Sequence, residues 1–181
     1  FGDVVEQPDV VDWRNYRLDR IQDIQPLSWD DALVPASLKQ RYLEHDLPIP
    51  DEIQLRMAEA WGFDYYQPKD ILLVRFDEIW DQRYIRNSLR HPTFERVNYA
   101  QAQKLILRML RGELQQQMLD LLASRSDKDA YYRAVYRRND PNVKQRLRAW
   151  RPHIEVLLPW PLRQQFGREV MAESRFYRDI V

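Results

Sequence analysis

The stretch Trp13-Arg14-Asn15-Tyr16-Arg17-Leu18-Asp19-Arg20-Ile21 alternates in character. Tyr16, Leu18 and Ile21 can face a core, while Arg17, Asp19 and Arg20 supply charge. Alternation over this length predicts a half-buried β-strand. The strand is expected to run from Asp12 to Leu27, bulged through Ile24. Pro26 marks its end, because proline cannot donate to a ladder.

Composition sets the outer bounds. A chain of 181 residues can form one domain or two small ones, and 44% hydrophobic with 12% aromatic residues excludes a mainly disordered chain. Lys plus Arg equal Asp plus Glu at 28 each, so net charge argues for no partner. Its distribution is more informative. Residues 44–81 hold ten acidic side chains against Arg56, Lys69 and Arg75, whereas residues 133–151 hold seven basic ones against Asp140 alone. With no cysteine there are no disulfides, thiolate metal sites or Cys nucleophiles, which suits a cytoplasmic protein. No apolar run approaches the ~18 residues that span a bilayer, and no signal-peptide pattern opens the chain. A first residue of Phe1 leads to the expectation of a piece of something longer.

Outward from the opening stretch, Pro35 precedes a predicted helix over 36–43 that Pro48 and Pro50 stop. A second helix is expected from Asp51 to Trp61, capped at its C-terminus by Gly62. Ile71-Leu72-Leu73-Val74-Arg75-Phe76 is an apolar run of strand length. Asp77 can cap a helix through about Leu89, with Ile79, Trp80 and Tyr84 inward and His91-Pro92 ending it. Residues 100–122 carry the strongest helical period, interrupted at Gly112. After a loop at 124–127, Asp127 or Asp129 is expected to cap a helix holding Tyr131, Tyr132 and Val135. Asn139-Asp140-Pro141 starts a further helix to Trp150. Residues 153–158 read as a strand ended by Pro159, and Trp160–Ile180 as a last helix anchored on Leu162, Phe166 and Val170.

The run Tyr16-Arg17-Leu18-Asp19-Arg20-Ile21 resembles the final conserved strand of WYL domains, small SH3/Sm-like barrels found mostly in bacterial transcription regulators. Val156-Leu157-Leu158-Pro159 followed by Leu162-Arg163, together with His91-Pro92, is similar to the C-terminal extension that follows many such domains. The likeness covers about two thirds of the chain in register; residues 28–70 and 95–140 depart from the common pattern. Trp61-Gly62-Phe63-Asp64-Tyr65-Tyr66 with Arg90-His91-Pro92-Thr93-Phe94 resembles a CRISPR-associated WYL branch. The Trp-Tyr-Leu motif that names the family is absent from these residues. The resemblance implies an α+β fold: the end of an SH3/Sm-like β-barrel (residues 1–34), a helical connector (35–70) and a small α/β C-terminal extension (71–181). It also implies a ligand-sensing, homodimerising part of a transcription regulator linked to defence control. DNA would be read by a winged helix-turn-helix upstream, and the basic residues of the barrel strand would bind a nucleotide or nucleic-acid ligand.

On chemistry, Arg14, Tyr16, Arg17 and Arg20 form the first candidate ligand site, since Arg offers a planar donor fork for phosphates. Strict alternation cannot put all three arginines on one face. The competing explanation pairs Arg17 and Arg20 with Asp19 or Asp23. A weaker nucleic-acid site is Arg137, Arg138, Lys144 and Arg148, within a run that interleaves cations with Tyr131, Tyr132, Tyr136 and Trp150. A salt-bridged surface, with the acidic 44–81 region as partner, is the commoner explanation of such a run. The alternative function is an accessory single-stranded DNA or RNA binder in a defence complex. His45, His91 and His153 lack metal-ligand spacing. Four glycines form no phosphate loop, and there is no Gly-x-Ser-x-Gly, so no cofactor and no enzymatic activity is expected.

Overall fold

The computed structural model describes residues 18–62 and 65–180, and the chain divides into two compact units, residues 1–55 and 56–181. In the first unit, Leu18–Arg20 form a single 3₁₀ turn and residues 21–28 have no regular structure. The strand expected over 12–27 is therefore not formed over its described part; residues 12–17 lie outside the described residues. Alternation makes a strand possible, but a strand also needs a partner to complete its ladder. Ile24 is 72% exposed, which no half-buried strand would allow. Helix α1 (Ala36–Leu43) follows Pro35 as expected, and His45, at φ 56°, turns the chain out of it. Trp29 stacks on Tyr42 with ring centroids 4.1 Å apart.

Helix α2 (Pro50–Ala58) leads into the second unit and ends four residues before Gly62. Gly62 is therefore no helix cap. Its role is close packing: a Cβ there would overlap the Asn142 side chain and come within 2.9 Å of Asp140 Oδ1.

The second unit is built on one open antiparallel sheet. Its strands are β1 (Lys69–Phe76), β2 (Glu95–Val97), β3 (Ala130–Arg137) and β4 (Ile154–Leu158), in the spatial order β2-β3-β1-β4. Strand β1 pairs along its whole length with β3, from Lys69 opposite Arg137 to Phe76 opposite Ala130. The expected helix at 131–135 is thus a central strand. Its aromatic residues and Val135 suit a pleated surface, and burial on both faces hides the period of two that would have marked it. The three-residue β2 was not anticipated either.

Helices cover both faces. One face presents Leu72, Val74, Phe76, Tyr132, Ala134, Tyr136 and Val156 to Ile85 and to α6 (Pro141–Ala149) and α7 (Trp160–Glu173). The other presents Leu73, Tyr131, Leu157 and Leu158 to α4 (Tyr99–Met109) and α5 (Gly112–Ala123). Each fully buried aliphatic side chain in these layers contributes about 1.5–3 kcal/mol. Gly112, at φ 62°, breaks the long 100–122 period into the α4–α5 pair, as the sequence predicts. Asn98 caps α4 with a reciprocal bond to Gln101, and Asp140 caps α6 by accepting from the Asn142 amide.

The helix predicted from Asp77 to Leu89 changes character. Asp77 caps α3 (Glu78–Trp80) as expected, but residues Asp81–Ile85 continue as a π-helical turn. That wider turn rotates Asp81 and Ile85 inward and leaves Ile79 64% and Tyr84 48% exposed, contrary to the helical reading. The last helix likewise stops at Glu173 and tightens to 3₁₀ over Ser174–Ile180, with Val170 exposed. No described helix is long and apolar enough to cross a membrane.

Candidate functional site: a cationic groove at one end of the sheet

The eight sequence candidates separate sharply. Arg14, Tyr16 and Arg17 lie outside the described residues, and Arg20 is exposed in the 3₁₀ turn. Of the second set, Arg137 is the last residue of β3 and Arg138 the first beyond it. Arg137 is 5% exposed; it donates to the Gln67 carbonyl at 3.0 Å and to Glu59 at 3.2 Å. Arg148 is committed to both oxygens of Glu169, at 2.9 and 2.7 Å. These hydrogen bonds hold the Glu169 carboxyl down at about 2. Arg151 also pairs with Glu169 and Glu173, and Arg133 with Glu95. Glu59 and Asp70, from the acidic stretch, pair in cis with Arg137 and Arg138.

Arg138 and Lys144 do converge. They line one groove of about 430 Å³, together with Asp70, Tyr136, Trp160 and Gln165. That volume falls in the usual range for small-molecule sites, about 300–1,000 Å³. Each wall has a local cause. Strand β3 ends at Arg137, so Arg138 leaves the sheet at its rim, with its amide bonded to the Pro68 carbonyl. Asn139, at φ 62°, then turns the chain into α6, whose first turn carries Lys144. From the other side, Pro159 and Pro161 flank Trp160 and open α7 with no side-chain cap. In that first turn Pro161 carries no N–H and the Arg163 amide donates to the Pro159 carbonyl at 3.1 Å, so the Trp160 and Leu162 amides are the ones without an intrahelical acceptor.

Electrostatically the groove is mixed with a cationic surplus. Arg138 gives its Nε to Asp70 at 3.1 Å while its side chain stays 58% exposed, so its other nitrogens face solvent. Lys144 has no ion-pair partner among the described residues. Burial pushes the Tyr136 hydroxyl up, and the neighbouring Asp70 charge adds to it, so Tyr136 stays a neutral donor. Two cations, an uncapped helix N-terminus and a half-buried indole are the parts needed to hold an anion with a ring beside it. Trp160 and the α7 N-terminus are the parts that sequence reasoning missed. The Pro159-Trp160-Pro161 triplet was the available signal, but the indole reads equally well as core.

Two segments that the sequence singled out also meet. Trp61 stacks on His91 with centroids 4.8 Å apart, and Arg146 lies 5.4 Å above the indole. Trp61 Nε1 donates to the Val135 carbonyl at 3.0 Å. His91 is buried, which lowers its pKa; Nδ1 accepts from the Thr93 amide and Nε2 donates to the Ala60 carbonyl, the bonding of a neutral ring. This arrangement clamps residues 60–62 onto the sheet and is structural.

Neither the family models nor the curated proteins compared with this chain include a match to it.

Proposed function

We propose that this chain is the ligand-sensing and dimerising portion of a WYL-type transcription regulator in defence control, and that its ligand is a nucleotide or the end of a short nucleic acid. The family reading rests on the resemblance of the Tyr16–Ile21 motif to the last strand of an SH3/Sm-like barrel, although Leu18–Arg20 form a 3₁₀ turn and no strand, and on the ordered Leu-Pro and His-Pro motifs. The observation that carries the ligand class is the meeting of Arg138, Lys144, Trp160 and the α7 N-terminus in one groove. A phosphate there gains two charge-assisted contacts and helix amides, while a base finds the indole face. Ligand binding would act by favouring one of two dimer arrangements with different DNA affinity.

An accessory binder that tracks a long single strand would use a continuous cationic path. The basic run provides none: Arg137 is interior, and Arg148 and Arg151 are held by Glu169. A compact groove favours a short ligand.

The test is fluorescence anisotropy of labelled short oligonucleotides, with and without a 5′-phosphate, at several salt concentrations. Expected are tighter binding of the phosphorylated form, a shallow salt slope of about −1 to −2, and a loss of tenfold or more in Arg138→Gln/Lys144→Gln. Binding lost instead in Arg17→Ala would move the ligand to the amino-terminal motif. No binding at all, or binding indifferent to both variants, would sink the ligand assignment.

A further inference from the structure

A second groove, of about 760 Å³, opens at the other ends of β3 and α4, where the α5–β3 loop meets the first turn of α4. Arg96, Tyr99, Arg125, Asp127, Asp129 and Tyr131 line it. Beside it lies a charge cluster joining β1, β4, α7 and the loop. Glu155 accepts from Arg125 through two nitrogens at 2.8 and 2.7 Å, from Arg75 at 2.9 Å and from Arg163 at 3.0 Å. Arg75 also reaches Asp129 at 2.6 Å. Three guanidiniums thus face two carboxylates, which leaves one positive charge unmatched in a mostly buried cluster. Arg125 spends Nε and Nη2 on Glu155, so Nη1 remains, on a side chain 31% exposed at the groove.

Tyr131 is the independent observation. It is 4% exposed, lines the groove, and its hydroxyl has no hydrogen-bond partner among the described residues. Burial and the neighbouring Asp129 charge push that hydroxyl up, so it stays protonated beside Arg75 and Glu155. A buried donor left unpaired costs stability, and such a cost is characteristic of a site built for something else to complete. Tyr99, 44% exposed, meets the Tyr131 ring edge-on at 6.2 Å and offers an aromatic wall.

We propose that this groove is a second ligand site, for a small aromatic carboxylate whose carboxyl oxygen takes the Tyr131 hydroxyl and Arg125 Nη1 while its ring packs on Tyr99. Arg96 and Asp127, which also line the groove, offset one another, so the surplus stays at one positive charge: a monoanion matches it and a phosphate dianion exceeds it by one. The site stands apart from the Arg138–Lys144 groove and does not depend on that groove's function.

Benzoate, acetate and inorganic phosphate, titrated calorimetrically into the full chain, test it. Benzoate is expected to bind more tightly than acetate or phosphate. Tyr131→Phe is expected to weaken benzoate about tenfold or more, the value of one charge-assisted hydrogen bond, while melting no lower than the wild type because it removes an unpaired hydroxyl. Lys144→Gln, in the other groove, is expected to leave benzoate binding unchanged. The proposal is overturned if benzoate does not bind, if phosphate binds more tightly, if Tyr131→Phe binds as well as the wild type, or if Lys144→Gln abolishes binding.

Discussion

Asp81 is fully buried and accepts from the Tyr132 hydroxyl at 2.5 Å and from Arg86 at 3.0 and 2.9 Å. A lone carboxylate in that position would be costly, so each partner matters. Tyr132→Phe is expected to lose about 2 kcal/mol, the value of a hydrogen bond to a charged group. Asp81→Ala is expected to lose about 3 kcal/mol or more, since it strands a buried hydroxyl and frees a guanidinium. Urea denaturation of both variants checks the order. At Glu155, burial alone would raise the carboxyl, but hydrogen bonds from Arg125 and Arg75 and the Arg163 charge hold it at about 2, against 4.5 ordinarily. A carboxyl lowered in the folded state stabilises fully above its unfolded value. That stability, about 3 kcal/mol, is therefore lost as pH falls from 4.5 towards 2. Urea midpoints measured across that window should show the loss, and Glu155→Gln should start lower but slope less.

At the scale of elements, Gly112 separates α4 from α5 at φ 62° with open space where a Cβ would go. Only backbone strain then opposes a side chain, so Gly112→Ala is expected to cost about 1 kcal/mol and Gly112→Asn less. Thermal melts of the two variants, compared at the same pH, give the ranking. The Trp61–His91–Arg146 stack has its own pH dependence. Burial lowers the His91 pKa from 6.5, so the neutral ring is the one that fits. The stability tied to that ring is present above pH 6.5 and declines below it, a dependence His91→Gln should lack. At this scale much was legible. The caps at Asp77 and Asp140 are local chemistry, and short side chains with oxygens announce them, whereas the Asn98 cap was not read from the sequence. The π turn at 81–85 was not legible, because its extra residue follows from what Asp81 and Ile85 must reach across space.

For the whole molecule, residues 56–181 hold both helical layers and the complete described sheet. That segment is expected to unfold in one cooperative transition when expressed alone, as followed by circular dichroism and tryptophan fluorescence with coincident curves. Divergent curves would mean that the two faces of the sheet melt separately. The sequence by itself determined where β1, β4, α1, α4, α5 and α6 lie, because prolines, glycines, caps and period are properties of neighbouring residues. It also determined the α+β class. Tertiary structure alone decided that residues 130–137 are the sheet's second central strand rather than a helix, since a strand covered on both faces shows no period of its own. It likewise decided which cations stay available. Arg137 and Arg148 read like Arg138 and Lys144 in sequence, but Glu59 and Glu169 fold onto the first two, whereas Asp70 takes only the Nε of an exposed Arg138 and Lys144 meets no carboxylate among the described residues, so these two line a groove.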